Sequence, residues 1–347
     1  HILIFCGTFL HSAIFLYVVH WLYHKHSISA DCILKAFSTG FFLCTSMAVV
    51  WEAIAGILVR IFVDLYLALS GTDVEVDEGG YENTMVMTPF VLSGGFAQAS
   101  THQDYLELYG RDHPIFYSLY LFIQAFILAA VIEELIKYLG IQMISDHPDF
   151  WSENELECAI DAVIQEETEH TDGDEQQLKQ KISVHGMPIH AQRKTGKVRG
   201  DIMTIAMVAV AIGFTCCENL VYIFVYNDNS LNVEMVVLII RMLFPVHPIC
   251  AAIQSIGVIR RDIEKDNNHQ LGKILVPAIL VHGIFNYALM MFDYFGRDNP
   301  SSVLAAMASG VLIVVVSVAW FFNEGQSQRR RLKALDQRTN VDQSRLL

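Results

Sequence analysis

The sequence predicts an all-α, polytopic helical membrane protein, and three observations carry that prediction. Of its 347 residues, 53% are hydrophobic and only 17% charged, where a soluble domain carries about 25% charged residues. Mean hydropathy is +0.38. The apolar residues are gathered into runs close to the roughly 20 residues a helix needs to cross a bilayer core about 30 Å thick. The same composition excludes a disordered chain. With 37 acids against 23 bases the net charge is −14, so we expect no nucleic-acid partner. Cysteines stand at 6, 32, 44, 158, 216, 217 and 250. None has CxxC spacing, so neither a disulfide framework nor a zinc ribbon is expected. The first residue is His rather than Met, which leads us to expect native residues upstream of it.

Residues 2–23 form the first run, broken only by His11 and His20, both read as structural. Residues 36–51 are the uncharged part of a second. The run 114–132 has no formal charge, 202–226 has one acid (Glu218), and 235–259 one base (Arg241). Runs 274–292 and 301–323 have none. The stretch 53–70 carries Arg60 and Asp64, and is either an eighth span or a continuation of the second helix at the interface. Basic residues favour seven spans. Segments 24–35, 141–200, 260–273 and 324–347 hold 2, 6, 4 and 6 Lys/Arg, whereas 71–113, 227–234 and 293–300 hold 1, 0 and 1. Seven spans put every basic segment on the cytoplasmic side, with the N-terminal end of this chain non-cytoplasmic and the C-terminus inside.

The expected organisation follows. Transmembrane helices fill 1–70, and an acidic non-cytoplasmic loop fills 71–113. A membrane core runs over 114–292, interrupted by a cytoplasmic acidic insert at 141–200. A last span lies in 293–323, followed by a basic cytoplasmic tail at 324–347. In the insert, twelve acids precede the first base, Lys179. There Ser152 and Glu155 read as a capping box ahead of an amphipathic stripe of Leu156, Ile160, Val163 and Ile164.

Charged residues inside the runs are the informative ones, because one at mid-membrane costs on the order of 2.5–3.5 kcal/mol. They are Glu133 and Glu134 in VIEELIK, Glu218 in GFTCCENLVY, Arg241 and His247 in RMLFPVHP, and, with them, His282 and Asn286 in HGIFN. Lys137 can pair with either acid of the EE pair, three or four residues back. Tyr222 lies one turn beyond Glu218 and can donate to it. Pro245 and Pro248 should kink the helix around His247. His282 and Asn286 share a helix face, and Gly283 lets a backbone or a substrate approach. A buried carboxylate can act as general base, and His and Asn can bind an oxyanion. Two His with one Glu (Glu218, His247 and His282) can hold a zinc ion with an open position. These parts suit peptide hydrolysis within the membrane and equally a proton or ion path. On a straight helix the EE pair sits nearer the cytoplasmic side than Glu218. A single site then needs tilt, or a third helix continuing toward Ser145.

The motif order EELIK (133–137), GFTCCEN (213–219) with Tyr222, Arg241 then His247, and HGIFN (282–286) resembles the PrsW family of membrane proteases. The resemblance spans about residues 115–292 and extends to the CAAX prenyl endopeptidases, the bacteriocin-processing enzymes and the APH scaffold subunit of gamma-secretase. It implies that Glu133 is the general base, that Glu134 supports it, and that Glu218, His247, His282 and Asn286 complete the catalytic set, with or without a divalent metal such as zinc. Lys137 follows two residues after the EE pair, where the prenyl endopeptidases have Arg after three, so a CAAX substrate is not expected. The resulting expectation is an intramembrane or juxtamembrane endopeptidase acting on membrane-protein substrates in the lipid bilayer. The alternative is a non-catalytic scaffold subunit.

Overall fold

In a computed structural model, residues 2–24, 28–69, 109–110, 112–151, 195–225, 239, 241–296 and 300–346 are described. All regular structure among them is helical. Helix α1 is Ile2–His24. Helix α2, Ala30–Ser38, runs through a π-helical stretch at Thr39–Cys44 into α3, Thr45–Leu69. Helix α4, Pro114–Phe122, likewise passes through a π stretch at Ile123–Val131 into α5, Ile132–Met143. Then come α6 (Gly196–Val225), α7 (Val246–Asp262), α8 (Leu271–Gly296) and α9 (Pro300–Leu346). Six spans are long and apolar enough to cross a membrane, and a shorter apolar helix covers Phe5–Trp21. This is a polytopic helical membrane protein. Stretch 53–70 resolves as the continuation of the second helix, since one span runs Ala30–Leu67. The capping box at Ser152, its stripe, nearly all of loop 71–113 and most of insert 141–200 lie outside the described residues.

Helix α6 is central. It packs against α1, α2, α5, α7 and α9, and 78% of its most apolar stretch is buried, against 11% for the last span. That ordering separates inner helices from those that face lipid, where Phe62, Leu304 and Leu312 stand exposed. Two glycines let α6 approach the second helix closely. A methyl group on Gly40 would collide with the Val210 carbonyl, and one on Gly213 with the Phe37 carbonyl. Small residues are what permit helices to approach at backbone distance in a membrane. Serine and aspartate stitch the adjoining loop: Ser29 caps α2, and its N–H and Oγ both donate to Asp149 Oδ2, at 2.9 and 2.6 Å.

Helix α9 does not end with its apolar part. Its basic stretch remains helical and lies on the ends of α6 and α7. Arg329 pairs with Asp201, Arg331 with Glu264, and Leu332 is buried. Asp336 accepts from the N–H groups of Gly196 and Lys197 at 2.6 and 3.3 Å. It thereby satisfies donors that the first turn of α6 leaves without intrahelical partners.

Candidate active site

The charged residues of four helices meet in one buried cluster. From α5 come Glu133, Glu134 and Lys137, from α6 Glu218, from α7 His247, and from α8 His282. The third span continues to Met143, so the EE pair lies well inside it, and the pair meets Glu218 around His247. The π stretch ends just before α5, where it sets the helical face that α5 presents; such stretches are frequent at functional sites.

Adjacent residues on a helix point about 100° apart, and the two glutamates accordingly serve different partners. Glu134 is fully buried. Its Oε1 accepts from Lys137 Nζ at 2.5 Å and pairs with His282 Nδ1 at 2.9 Å. Its Oε2 accepts from Gln254 Nε2 at 2.7 Å. Glu133 Oε2 lies 3.5 Å from His247 Nδ1, 4.0 Å from His282 Nε2 and 3.9 Å from Lys137 Nζ, and no hydrogen bond satisfies it. All three α5 side chains are at most 4% exposed. The EExxK motif is therefore an interior cluster rather than a charge pair at the membrane boundary.

The other carboxylate, Glu218, holds His247 from the far side. Its Oε2 pairs with His247 Nε2 at 2.8 Å and its Oε1 with Arg241 at 2.7 Å. Arg241 Nε also donates to Asn219 Oδ1 at 2.5 Å. The tautomers follow from these partners. His247 donates from Nε2 to Glu218 and accepts at Nδ1 from Lys137 Nζ, 2.9 Å away. His282 donates from Nδ1 to Glu134. The lone pairs of both rings, on His247 Nδ1 and His282 Nε2, then belong to the atoms nearest Glu133 Oε2. Phe214 packs edge-on against His247 at 5.4 Å, and Lys137 Nζ lies 5.0 Å from its ring centroid.

Several expectations change in detail. The helix is interrupted at Phe244–Pro245, and α7 starts at Val246, so His247 sits in its first turn. The space beside Gly283 is taken by the ring of Phe126. Glu218 pairs with Arg241 and His247, while the side chain of Tyr222 lies outside the described residues. Asn286 is one turn past His282 and partly buried; no hydrogen bond among the described residues ties it to the cluster. Glu133, His247 and His282 are spaced to hold a metal ion, whereas in the expected set Glu218 stood in the place of Glu133.

Gln254 and Glu52 were not foreseen. Gln254 is two turns past His247 on the same face of α7, and a fully buried amide in a span is a signal in itself. Glu52 is 4% exposed on α3, an acid between the apolar stretches 36–51 and 53–70. Cys32, His147 and Asp149 form a second group spaced for an ion. There His147 Nε2 is engaged with Asp31, its Nδ1 accepts from the Asp149 N–H, and Asp149 Oδ2 caps Ser29. That group reads as a stitched loop.

Fold and site together define a multi-pass helical membrane protein with a buried acid–histidine centre. Residues 190–322 match the family described as PrsW family intramembrane metalloprotease, so the resemblance drawn from the motifs is shown for this segment. The match supports a peptide hydrolase that acts on membrane proteins within the bilayer. It includes Glu218, His247, His282 and Asn286, and begins after Glu133 and Glu134. No curated protein and no solved structure matches the chain.

Proposed function

We propose that the protein cleaves peptide bonds of membrane proteins with water activated at Glu133. The observation that carries this reading is the unsatisfied Glu133 Oε2, buried 4.0 Å from the lone-pair nitrogen of His282 and 3.5 Å from His247 Nδ1, which Lys137 holds. Water held between Glu133 and His282 Nε2 gives a proton to Glu133 as its oxygen adds to the peptide carbonyl carbon, and the proton is delivered to the leaving amine as the C–N bond breaks. Lys137 supplies positive charge beside the developing oxyanion, and the Asn286 amide, on the face of His282, is a further donor for it. Glu134 and Glu218 act one layer out, each fixing the tautomer and orientation of one histidine.

The same three inner residues fit a divalent cation. Glu133, Glu134 and Glu218 face Lys137 and Arg241, so the ionised cluster carries more negative than positive charge in a low-dielectric interior. An ion held by Glu133, His247 and His282 would supply Lewis-acid polarisation. Metal content of the purified protein, measured by elemental mass spectrometry beside His247→Ala and His282→Ala, tests this. A stoichiometric metal lost in both variants supports it, and a metal-free active protein removes it.

The test of the hydrolytic reading compares membrane-protein fragments from cells that express the intact protein or Glu133→Gln at equal levels. We expect new N-termini with the intact protein alone. Identical fragment sets would reject the reading and favour the scaffold.

A further inference from the structure

We propose that Gln254 on α7 is a positioning residue of the active site: it fixes the plane of the Glu134 carboxylate and, through it, the aim of the His282 ring. The inference rests on the hydrolytic reading of the Glu133 centre, although the contacts themselves do not. Gln254 is fully buried and belongs to none of the motifs. Its Nε2 donates to Glu134 Oε2 at 2.7 Å and to the Glu134 backbone carbonyl at 3.3 Å. The amide can face only this way, because its other end, Oε1, would meet two acceptors there. Oε1 itself finds no donor among the described residues.

The two oxygens of Glu134 are held unequally. Oε1 meets both Lys137 Nζ and His282 Nδ1, at 2.5 and 2.9 Å, whereas Oε2 has Gln254 alone among the described residues. The terminal torsion of a glutamate is broad, so two contacts on one oxygen leave the other free to swing. Gln254 removes that freedom, because its second bond anchors the amide to the α5 backbone. With the carboxylate plane set, His282 Nδ1 has one direction in which to donate. The far nitrogen of the ring, Nε2, is then kept 4.0 Å from Glu133 Oε2. A neutral amide does this without competing for the negative charge that Lys137 and His282 share.

The ordinary alternative is a bond that only ties α7 to α5. The next residue supplies the comparison. Ser255 Oγ lies 2.9 Å from Thr204 Oγ1 on α6 and donates to the Ala252 carbonyl, so it ties helices without serving Glu134. Gln254→Met keeps the length of the side chain and removes the donor. Gln254→Asn keeps the amide but is one carbon too short.

The first measurement needs no substrate. The Nδ1 proton of His282, held by a carboxylate in a dry interior, should give a far-downfield proton resonance in detergent, assigned by its loss in His282→Ala. We expect it to shift or disappear in Gln254→Met and Gln254→Asn and to persist in Ser255→Ala. An unchanged resonance in a folded Gln254 variant, its absence from the intact protein, or an equal change in Ser255→Ala would overturn the proposal. Formation of the Glu133-dependent fragments should slow by about 10-fold or more in Gln254→Met and stay near the intact level in Ser255→Ala. Undiminished cleavage in Gln254→Met also overturns it. If Glu133→Gln leaves the cellular fragments unchanged, the hydrolytic reading fails, and the His282 resonance alone decides whether Gln254 sets the orientation of that ring.

Discussion

Glu134 shows how much of the site depends on one side chain. A single carboxylate receives Lys137, His282 and Gln254. Glu134→Gln keeps an acceptor but removes the charge that Lys137 and His282 share. We expect a loss of about 10–100-fold in cleavage with the protein still folded by near-ultraviolet circular dichroism. Unchanged cleavage would show that His282 does not need this partner. The residue types of the site were legible in the sequence, because acids and histidines inside apolar runs stand out against their cost. Their division of labour was not. The sequence offered Glu218 with the two histidines as ligands of an ion, while in the fold Glu218 pairs with the far nitrogen of His247 and Glu133 is the acid spaced with both rings.

At the scale of the element, the site depends on how closely α6 approaches the second helix. Gly40 and Gly213 have backbone carbonyls in the space where a side chain would begin. Backbone cannot rotate aside as a flexible side chain does. Gly40→Ala or Gly213→Ala should therefore cost about 1–3 kcal/mol, the usual range for overpacking, read as a lower melting temperature. Gly272→Ala is the control, since nothing lies within 4 Å of the added atom. Equal melting for all three would contradict the close crossing. The apolar runs foretold where these helices lie, and both ends of α1 and α8 to within a few residues, but α5 and α9 continue well past their runs and α7 starts later than its own. The π stretches at Thr39–Cys44 and Ile123–Val131 carried no comparable signal, because their sequences are as apolar as the α-helices they interrupt.

At the scale of the whole molecule, four helices from distant parts of the chain each bring acid or histidine to one buried point. Helix α9 adds none of these and instead binds the start of α6 through Asp336. The distribution of Lys and Arg sets the expected orientation, with the C-terminal end cytoplasmic. An epitope tag after Leu347 should be digested by protease in opened cells and protected in intact ones. A tag removed from intact cells would reverse the topology, and with it the side from which substrates are read.

The sequence by itself determined that this is a helical membrane protein, roughly where its spans run, and which polar residues lie within them. Those properties follow from local composition, because a hydrocarbon environment acts on each run separately. Only the tertiary structure decided that the EE pair and Glu218 meet around His247, that Glu133 rather than Glu218 lies beside both His247 Nδ1 and His282 Nε2, and that Gln254 joins them. These depend on helix rotation and crossing, set by backbone contacts such as Gly40 with Val210 and Gly213 with Phe37. No periodicity within a single run encodes which of its faces will meet another.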